Sequence, residues 1–307
     1  MLQPGSDGAL AAALMHVLLK ENLADLDYLS EFTDFNADLE QHLETRTPEW
    51  ASEICGVPAD QIIEFARLVG QKPKTYYRFG YGFTRSRNGA FNMHAASCLP
   101  AMTGAWKHEG GGGLYSNSEL CKLDKTVITG SDVIDTNTRM LDQSRIGEIL
   151  CGNPIDLQGG PPITALLIQN TNPMMISPSS LKVKKGFERD DLFVCVHEQF
   201  MTETAAMADI VLPATTFLEH EDIYVAGGHT FLQVTKPVIE PLADAKPNHF
   251  VICELAKRLG AQHVGFEMST WEIIDETLRL SGYPDAETIH QQRWLDCEYR
   301  CWRITSR

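Results

Sequence analysis

The sequence predicts an α/β protein of two doubly wound lobes with mostly parallel sheets. Three observations predict it. Apolar runs at 163–168 and 192–196 continue without alternation, as in strands covered on both faces. Helical patterns alternate with these runs. Each strand candidate ends in a polar or glycine-bearing loop, namely Gly80-Tyr81-Gly82, Gln169 to Asn172 and His197 to Thr204. Those loops stand where open α/β sheets bind ligands, at the carboxyl ends of strands.

The elements follow in order. After the loop Leu2-Gln3-Pro4-Gly5, Ser6-Asp7 is placed to cap a helix of strong helix formers, with Leu10, Leu14, Val17 and Leu18 on one face. A second helix is expected over 59–70, its buried stripe formed by Ile62, Ile63, Phe65, Ala66 and Val69. Residues 75–79 read as a strand, 88–104 as a helix and the glycine run 110–113 as a flexible loop. Residues 115–160 are weakly patterned, with a helix at 139–150, and hold the expected seam between lobes. In the second half, strands are expected at 163–168, 192–196 and 210–212, the last stopped by Pro213. A short helical stretch fills 203–208, and an amphipathic helix at 249–259 ends on Gly260. The lobes are placed at 1–135 and 136–290, with an irregular tail at 291–307 in which Trp294-Leu295-Asp296 still reads as folded.

At 307 residues the chain suits one large domain or two ordinary ones, and 43% apolar residues supply a sizeable core. A formal net charge of −15 repels phosphate backbones and anionic lipid, so nucleic acid and membrane surface are not expected partners. A phosphate ligand stays compatible, because backbone N–H groups hold one without net basic charge. No stretch reaches the ~18–20 apolar residues of a membrane span. Met1-Leu2-Gln3-Pro4 shows no signal-peptide pattern, and the expected setting is cytoplasmic. The eight cysteines, at 55, 98, 121, 151, 195, 253, 297 and 301, have no C-x-x-C pair and read as buried free thiols.

The loop residues carry the candidate chemistry. Gly80 and Gly82 let a backbone approach a phosphate. Thr202 and Thr204 stand at a helix start, and Glu203 and Asp209 are placed to accept hydrogen bonds from a guanine edge or ribose hydroxyls. On spacing alone, ordinary capping and turn chemistry accounts for the same residues. His197 reads first as a hydrogen-bonded structural residue and second as a proton relay with Glu198. Glu219-His220-Glu221-Asp222 reads as a solvated polar turn, because consecutive residues diverge and no second ligand set is visible. His229, after Gly227-Gly228, reads as a turn residue.

The block Thr202-Glu203-Thr204-Ala205-Ala206-Met207-Ala208-Asp209-Ile210-Val211-Leu212-Pro213-Ala214 resembles the TETA-x-x-ADIVLPA signature of the molybdopterin oxidoreductases, the dimethyl sulfoxide reductase superfamily. Other likenesses fall in that family's order. Pro4-Gly5-Ser6-Asp7-Gly8-Ala9-Leu10 resembles its PGTDxAL loop, with Ser6 for Thr, and His16-Val17 with Glu21-Asn22-Leu23 is similar to the helix that follows. Gly80-Tyr81-Gly82, then Thr103-Gly104 with 110–113, resemble cofactor turns, and Asn172-Pro173 with Pro178 resembles its NP-x-x-x-x-P loop. The likeness covers roughly residues 2–290.

The resemblance implies two α/β lobes, each holding one arm of a bis-molybdopterin guanine dinucleotide with molybdenum or tungsten between them. It implies that Gly5, Ser6 and Asp7, with Gly80 and Gly82, line one half of the cofactor. It implies that Asn172, Pro173, Glu198, Thr202, Glu203, Thr204 and Asp209 line the other. Two-electron redox or oxo-transfer chemistry, a small-molecule redox substrate and an electron-carrier protein or subunit follow from it. Members of the family also carry an N-terminal region, often with a 4Fe–4S cluster, which supplies the metal ligand, and a C-terminal β-barrel. The chain begins at the PGTD-like loop and stops before the barrel, so it is read as an interior piece whose first lobe is truncated. No catalytic residue or metal ligand is therefore assigned, none of the eight cysteines is nominated, and the chain alone is expected to be inactive. Loss of the barrel is expected to bare an apolar face. One rival is a nucleotide- or protein-binding module without redox chemistry. The other is a nicotinamide-dependent dehydrogenase, whose G-x-G-x-x-G pattern fails at the third glycine of Gly80-Tyr81-Gly82-Phe83-Thr84-Arg85.

Overall fold

The structure is a computed structural model that describes residues 1–116, 120–225 and 229–297. Residues 227 and 228, and the tail from 298, lie outside it. The chain divides into two compact units, Met1–Asn117 and Ser118–Arg307. The division falls earlier than residue 135 because residues past 120 fold onto the second unit. Tyr283 Oη donates to the Cys121 carbonyl, and Asp124 N–H donates to Ser281 Oγ at 2.8 Å.

The first unit is mainly helical: α1 (Asp7–Lys20), α2 (Leu26–Phe32), α3 (Ala37–Glu44), α4 (Pro48–Cys55), α5 (Ala59–Gln71) and α6 (Gly89–Met102). A two-stranded parallel sheet pairs β1 (Tyr76–Arg78) with β2 (Gly112–Leu114). The short helices α2 to α4 were not expected. Their first turns are capped by Asp25, Asn36 and Thr47, which each accept backbone N–H bonds. They let α1 bury more than one face: Ala11 to Met15, Val17 and Leu18 all lie in the core, with α3, α4, α5 and α6 packed around them. The glycine run also differs from the expected loop, because its second half, Gly112 and Gly113, begins β2. Gly112 has φ +95°, and an added Cβ would stand 2.4 Å from the Trp106 ring, so only glycine lets this strand pass the indole.

The second unit begins with α7 (Thr126–Thr129) and α8 (Ile146–Leu150). A parallel sheet of order β3-β4-β5 follows: β3 (Ala165–Gln169), β4 (Phe193–Glu198) and β5 (Ile210–Pro213). The register pairs Gln169 with His197 and Glu198 with Pro213, so the carboxyl ends of all three strands meet at one edge. Helices α9 (Pro173–Ile176) and α10 (Ser180–Phe187) join β3 to β4. Leu150, Val183 and Phe187 pack against Ile168, Val194 and Val196 to form this core. The runs read as covered on both faces are covered on one. Leu167, Phe193 and Ile210, which point to the other face, are exposed.

An unexpected antiparallel sheet completes the unit, with β7 (Phe231–Thr235) between β6 (Asp222–Val225) and β8 (Leu295–Asp296). It packs on α12 (Thr270–Leu280) and α13 (Ala286–Gln292) through Leu232, Val234, Ile274, Leu278 and Ile289. The helix α11 (Asn248–Leu259) ends on Gly260 in the left-handed conformation, as expected. The first part of the expected tail is therefore ordered sheet rather than irregular. The seven described cysteines are free; Cys55, Cys121 and Cys297 are buried, whereas Cys151 is exposed.

Candidate functional site

At the carboxyl edge of the parallel sheet, three of the expected residues, Asn172, Glu203 and Thr204, form one hydrogen-bonded group, with Thr202 beside them. Asn172 follows β3, and Thr202, Glu203 and Thr204 follow β4. The Asn172 side chain donates from Nδ2 to Glu203 Oε2 at 2.8 Å, while its Oδ1 accepts from Thr204 Oγ1 at 2.6 Å and Thr204 N at 3.3 Å. The fully buried Thr204 hydroxyl also accepts the Met174 N–H at 3.1 Å. Pro173 is buried at the first position of α9, where its missing N–H costs nothing. Thr202 Oγ1 accepts the Ala205 N–H at 3.2 Å. Glu203 stays exposed, and the Asn172 amide holds its carboxyl below the ordinary glutamate range. It is thus an ionised acceptor whose Oε1 takes no side-chain bond among the described residues, its own backbone N–H also facing the carboxylate.

The other two expected residues of this half stand apart. Glu198 ends β4 and accepts the Gln199 N–H at 2.7 Å. Asp209 lies before β5, at the opposite edge, where its carboxylate accepts the Val194 N–H at 2.7 Å and its own N–H donates to Val194 O at 2.9 Å. That position serves the sheet rather than the carboxyl edge. His197 is a structural histidine. Its Nε2–H donates to Lys246 O at 3.0 Å, and Nδ1 accepts from Gln169 Nε2 at 3.0 Å, with the ring 1% exposed. The 219–222 segment is only partly solvated. Glu219 is buried, its carboxylate accepting N–H bonds from Thr216 at 2.6 Å and Leu242 at 2.7 Å. These bonds hold its carboxyl below the ordinary range.

In the first unit, Gly5 has φ +85° and Ser6 is buried, but Ser6 does not cap α1 with its side chain. Its hydroxyl donates to Gln3 O at 2.6 Å. The residue that fixes this loop is Asn92 of α6, which accepts the Gly8 N–H at 3.0 Å and donates to Gly5 O at 3.2 Å. Sequence reading missed it, because the partners lie 84 and 87 positions away. Asp7 occupies the first turn of α1. Gly80 and Gly82 follow β1, and an added Cβ at either would find no atom within 4 Å. Neither glycine is demanded by packing inside the chain, and the space beside both is open. Exposed Arg85 and Arg87 stand on the same loop, a cationic pair that the G-x-G reading passed over.

Beside the carboxyl edge lies a cavity of about 560 Å³ that none of the twelve expected residues lines. Asn170, Gln199 and Thr215, just past the three strands, form one side. The remainder comes from the 217–224 segment, α7, the 263–266 turn and the starts of α11 and α12. Among the described residues, no three His, Cys, Asp or Glu side chains are grouped to hold a metal ion, and no helix is long and apolar enough to cross a membrane.

Comparison with known proteins gives the family context. A family model described as molybdopterin oxidoreductase matches residues 1–258. The probable oxidoreductase YoaE of Bacillus subtilis is 38% identical over 287 residues, covering 92% of this chain and 41% of that protein. A trimethylamine-N-oxide reductase of Haemophilus influenzae is 32% identical over 287 residues, covering 84% of this chain and 34% of that protein. The chain spans about two fifths of the length of the curated relatives it matches. Among solved structures, acetylene hydratase from Pelobacter acetylenicus superposes with a TM-score of 0.69 at 21% identity, over 96% of this chain and 45% of that one. At that identity the likeness speaks for the shared fold.

Proposed function

The chain belongs to the molybdopterin oxidoreductase family, and from that premise we propose that it holds both nucleotide arms of a bis-molybdopterin guanine dinucleotide in a molybdenum or tungsten oxidoreductase. The observation that carries this reading is the Asn172, Glu203 and Thr204 group at the carboxyl edge. Asn172 orients the Glu203 carboxylate, and Thr204 anchors Asn172 from below. An oriented, ionised carboxylate with acceptor sites left on both oxygens suits the N1–H and exocyclic amine of guanine. Pro173, Thr202 and Glu198 shape the surrounding turns, and Asp209 acts at a distance by tying β4 to the start of β5.

The other arm is assigned to the first unit. Gly80 and Gly82 leave room for a diphosphate against the backbone, and Arg85 and Arg87 supply positive charge in a chain of net charge −15. Gly5, Ser6 and Asp7 form the neighbouring loop that Asn92 holds in shape. When bound, the metal of such a cofactor supplies two-electron redox or oxo-transfer chemistry. The part of this chain is to bind and orient the dinucleotide. Two electrons need a source or sink, so the partners are a small-molecule redox substrate and an electron-carrier protein or subunit. A 4Fe–4S cluster and the metal ligand belong to the wider family pattern and are assigned to no residue here.

The test uses protein from cells supplied with molybdate, assayed for acid-released GMP and pterin. Wild type is expected to carry both, with GMP and pterin reduced together in Glu203→Gln and in Gly80→Val. Wild type lacking both, or variants as full as wild type, would remove the assignment.

A further inference from the structure

The cavity beside the carboxyl edge has a chemistry that does not suit a phosphate. Neither lysine nor arginine lines it, whereas Glu221 and Asp222 do. Among the described residues Glu221 makes no ion pair, and Asp222, whose Oδ1 accepts the Ile223 N–H at 2.7 Å, pairs only with the His220 imidazole, at 3.7 Å. Two carboxylates thus stand on the wall without a permanent cationic partner, in a chain already at −15. An anionic ligand would add to that repulsion.

The rest of the lining suits an organic group. Ile252, Ile273 and Ile274 supply apolar surface, and Phe217, Tyr224 and Phe266 supply aromatic rings. The Tyr224 hydroxyl is buried with no hydrogen-bond partner among the described residues. Burial, reinforced by the charge of Asp222, pushes its acidity down and keeps it a neutral phenol. The three imidazoles on the lining are already engaged. His220 Nδ1 meets the Thr215 hydroxyl at 2.8 Å, His249 Nε2–H donates to Met268 O at 2.8 Å, and His263 Nδ1 accepts the Gly265 N–H at 3.1 Å. They are held in place as lining and do not converge on a metal. The volume of about 560 Å³ falls in the range of small-molecule sites, roughly 300–1,000 Å³.

We infer that this cavity is a second binding site, separate from the dinucleotide edge, for an organic cation such as a quaternary or protonated amine with an apolar body. The carboxylates of Glu221 and Asp222 supply the charge complement, and the aromatic rings supply cation–π faces and apolar contact. The inference does not require the cofactor.

The full chain would be titrated calorimetrically with benzyltrimethylammonium chloride, and in parallel with benzenesulfonate and GDP. Methyl NMR signals of Ile252 and Ile273 would be followed throughout. The cation is expected to bind saturably at one site and to shift both methyl signals, while benzenesulfonate does neither. A Glu221→Gln, Asp222→Asn double variant with an unchanged near-ultraviolet spectrum should bind about tenfold more weakly. Should the double variant lose its fold, the wild-type methyl shifts decide alone. Three results would overturn the inference: no saturable cation binding, equal binding by the folded double variant, or displacement of the cation by GDP with the same methyl shifts. A lack of cofactor in the purified protein would leave this titration intact, so the two readings fail separately.

Discussion

Replacing Thr204 with valine tests how the carboxyl edge is held. Valine keeps the shape of the fully buried side chain and removes only the hydroxyl. Two bonds go with it, the 2.6 Å donation to Asn172 Oδ1 and the 3.1 Å acceptance of the Met174 N–H. The donation is worth about 1 kcal/mol, and an orphaned, part-buried N–H costs roughly 1–3 kcal/mol. Asn172 Oδ1 keeps the Thr204 N–H, so its loss is partial. The expected destabilisation is thus roughly 2–4 kcal/mol. Thr204→Ser keeps the hydroxyl and loses one methyl group, at about 1 kcal/mol. Native-state hydrogen exchange at the Val196 amide reads the opening free energy of this unit, and exchange at Met174 reads the loop itself. Valine within about 0.5 kcal/mol of wild type, or serine worse than valine, would refute the reasoning, since surface-like tolerance is about that size.

Asn92→Ala should remove both bonds that fix the Gly5 to Gly8 loop, at a cost of roughly 1–3 kcal/mol for part-buried groups, with faster amide exchange at Gly8. Gly112→Ala should cost roughly 2 kcal/mol or more, because the residue needs φ +95° and the Cβ would strike Trp106, and it should expose the amides of β1 to exchange. Glu219 has a folded pKa depressed by the N–H groups of Thr216 and Leu242, so its stabilisation is whole above the ordinary value of 4.5 and is lost as pH falls below it. Glu219→Gln should flatten that acid limb in urea titrations; an acid dependence equal to wild type would contradict the assignment.

Much of the parallel sheet was legible because its signals are local. The apolar runs at 163–168 and 192–196, and Pro213 after a third, mark β3, β4 and β5 within a residue or two. Helices α2 to α4 escaped notice because each is eight residues or fewer, too short for an apolar period to repeat, although Asn36 and Thr47 carried their caps in plain sight. The coverage of the sheet was overstated, since an apolar run cannot say whether its second face meets a helix; Leu167 and Phe193 are exposed. In the site, the Asn172 loop and the Thr202 to Thr204 turn were visible as loops after strands, but their mutual bonds span 31 and 32 positions and leave no local trace. Asp209, from the same block, stands at the amino end of β5, because the chain runs back to that end between Thr204 and Ile210. The 219–222 segment looked like a solvated turn because it is charged throughout, yet a cluster of backbone N–H groups buries Glu219.

The most direct measurement of the central claim is the metal, pterin and GMP content of protein purified from cells supplied with molybdate, and separately with tungstate. The account predicts two pterins and two guanine nucleotides for each metal atom. A folded protein that contains neither pterin nor guanine nucleotide under both supplies would contradict it and leave the non-redox binding module in its place.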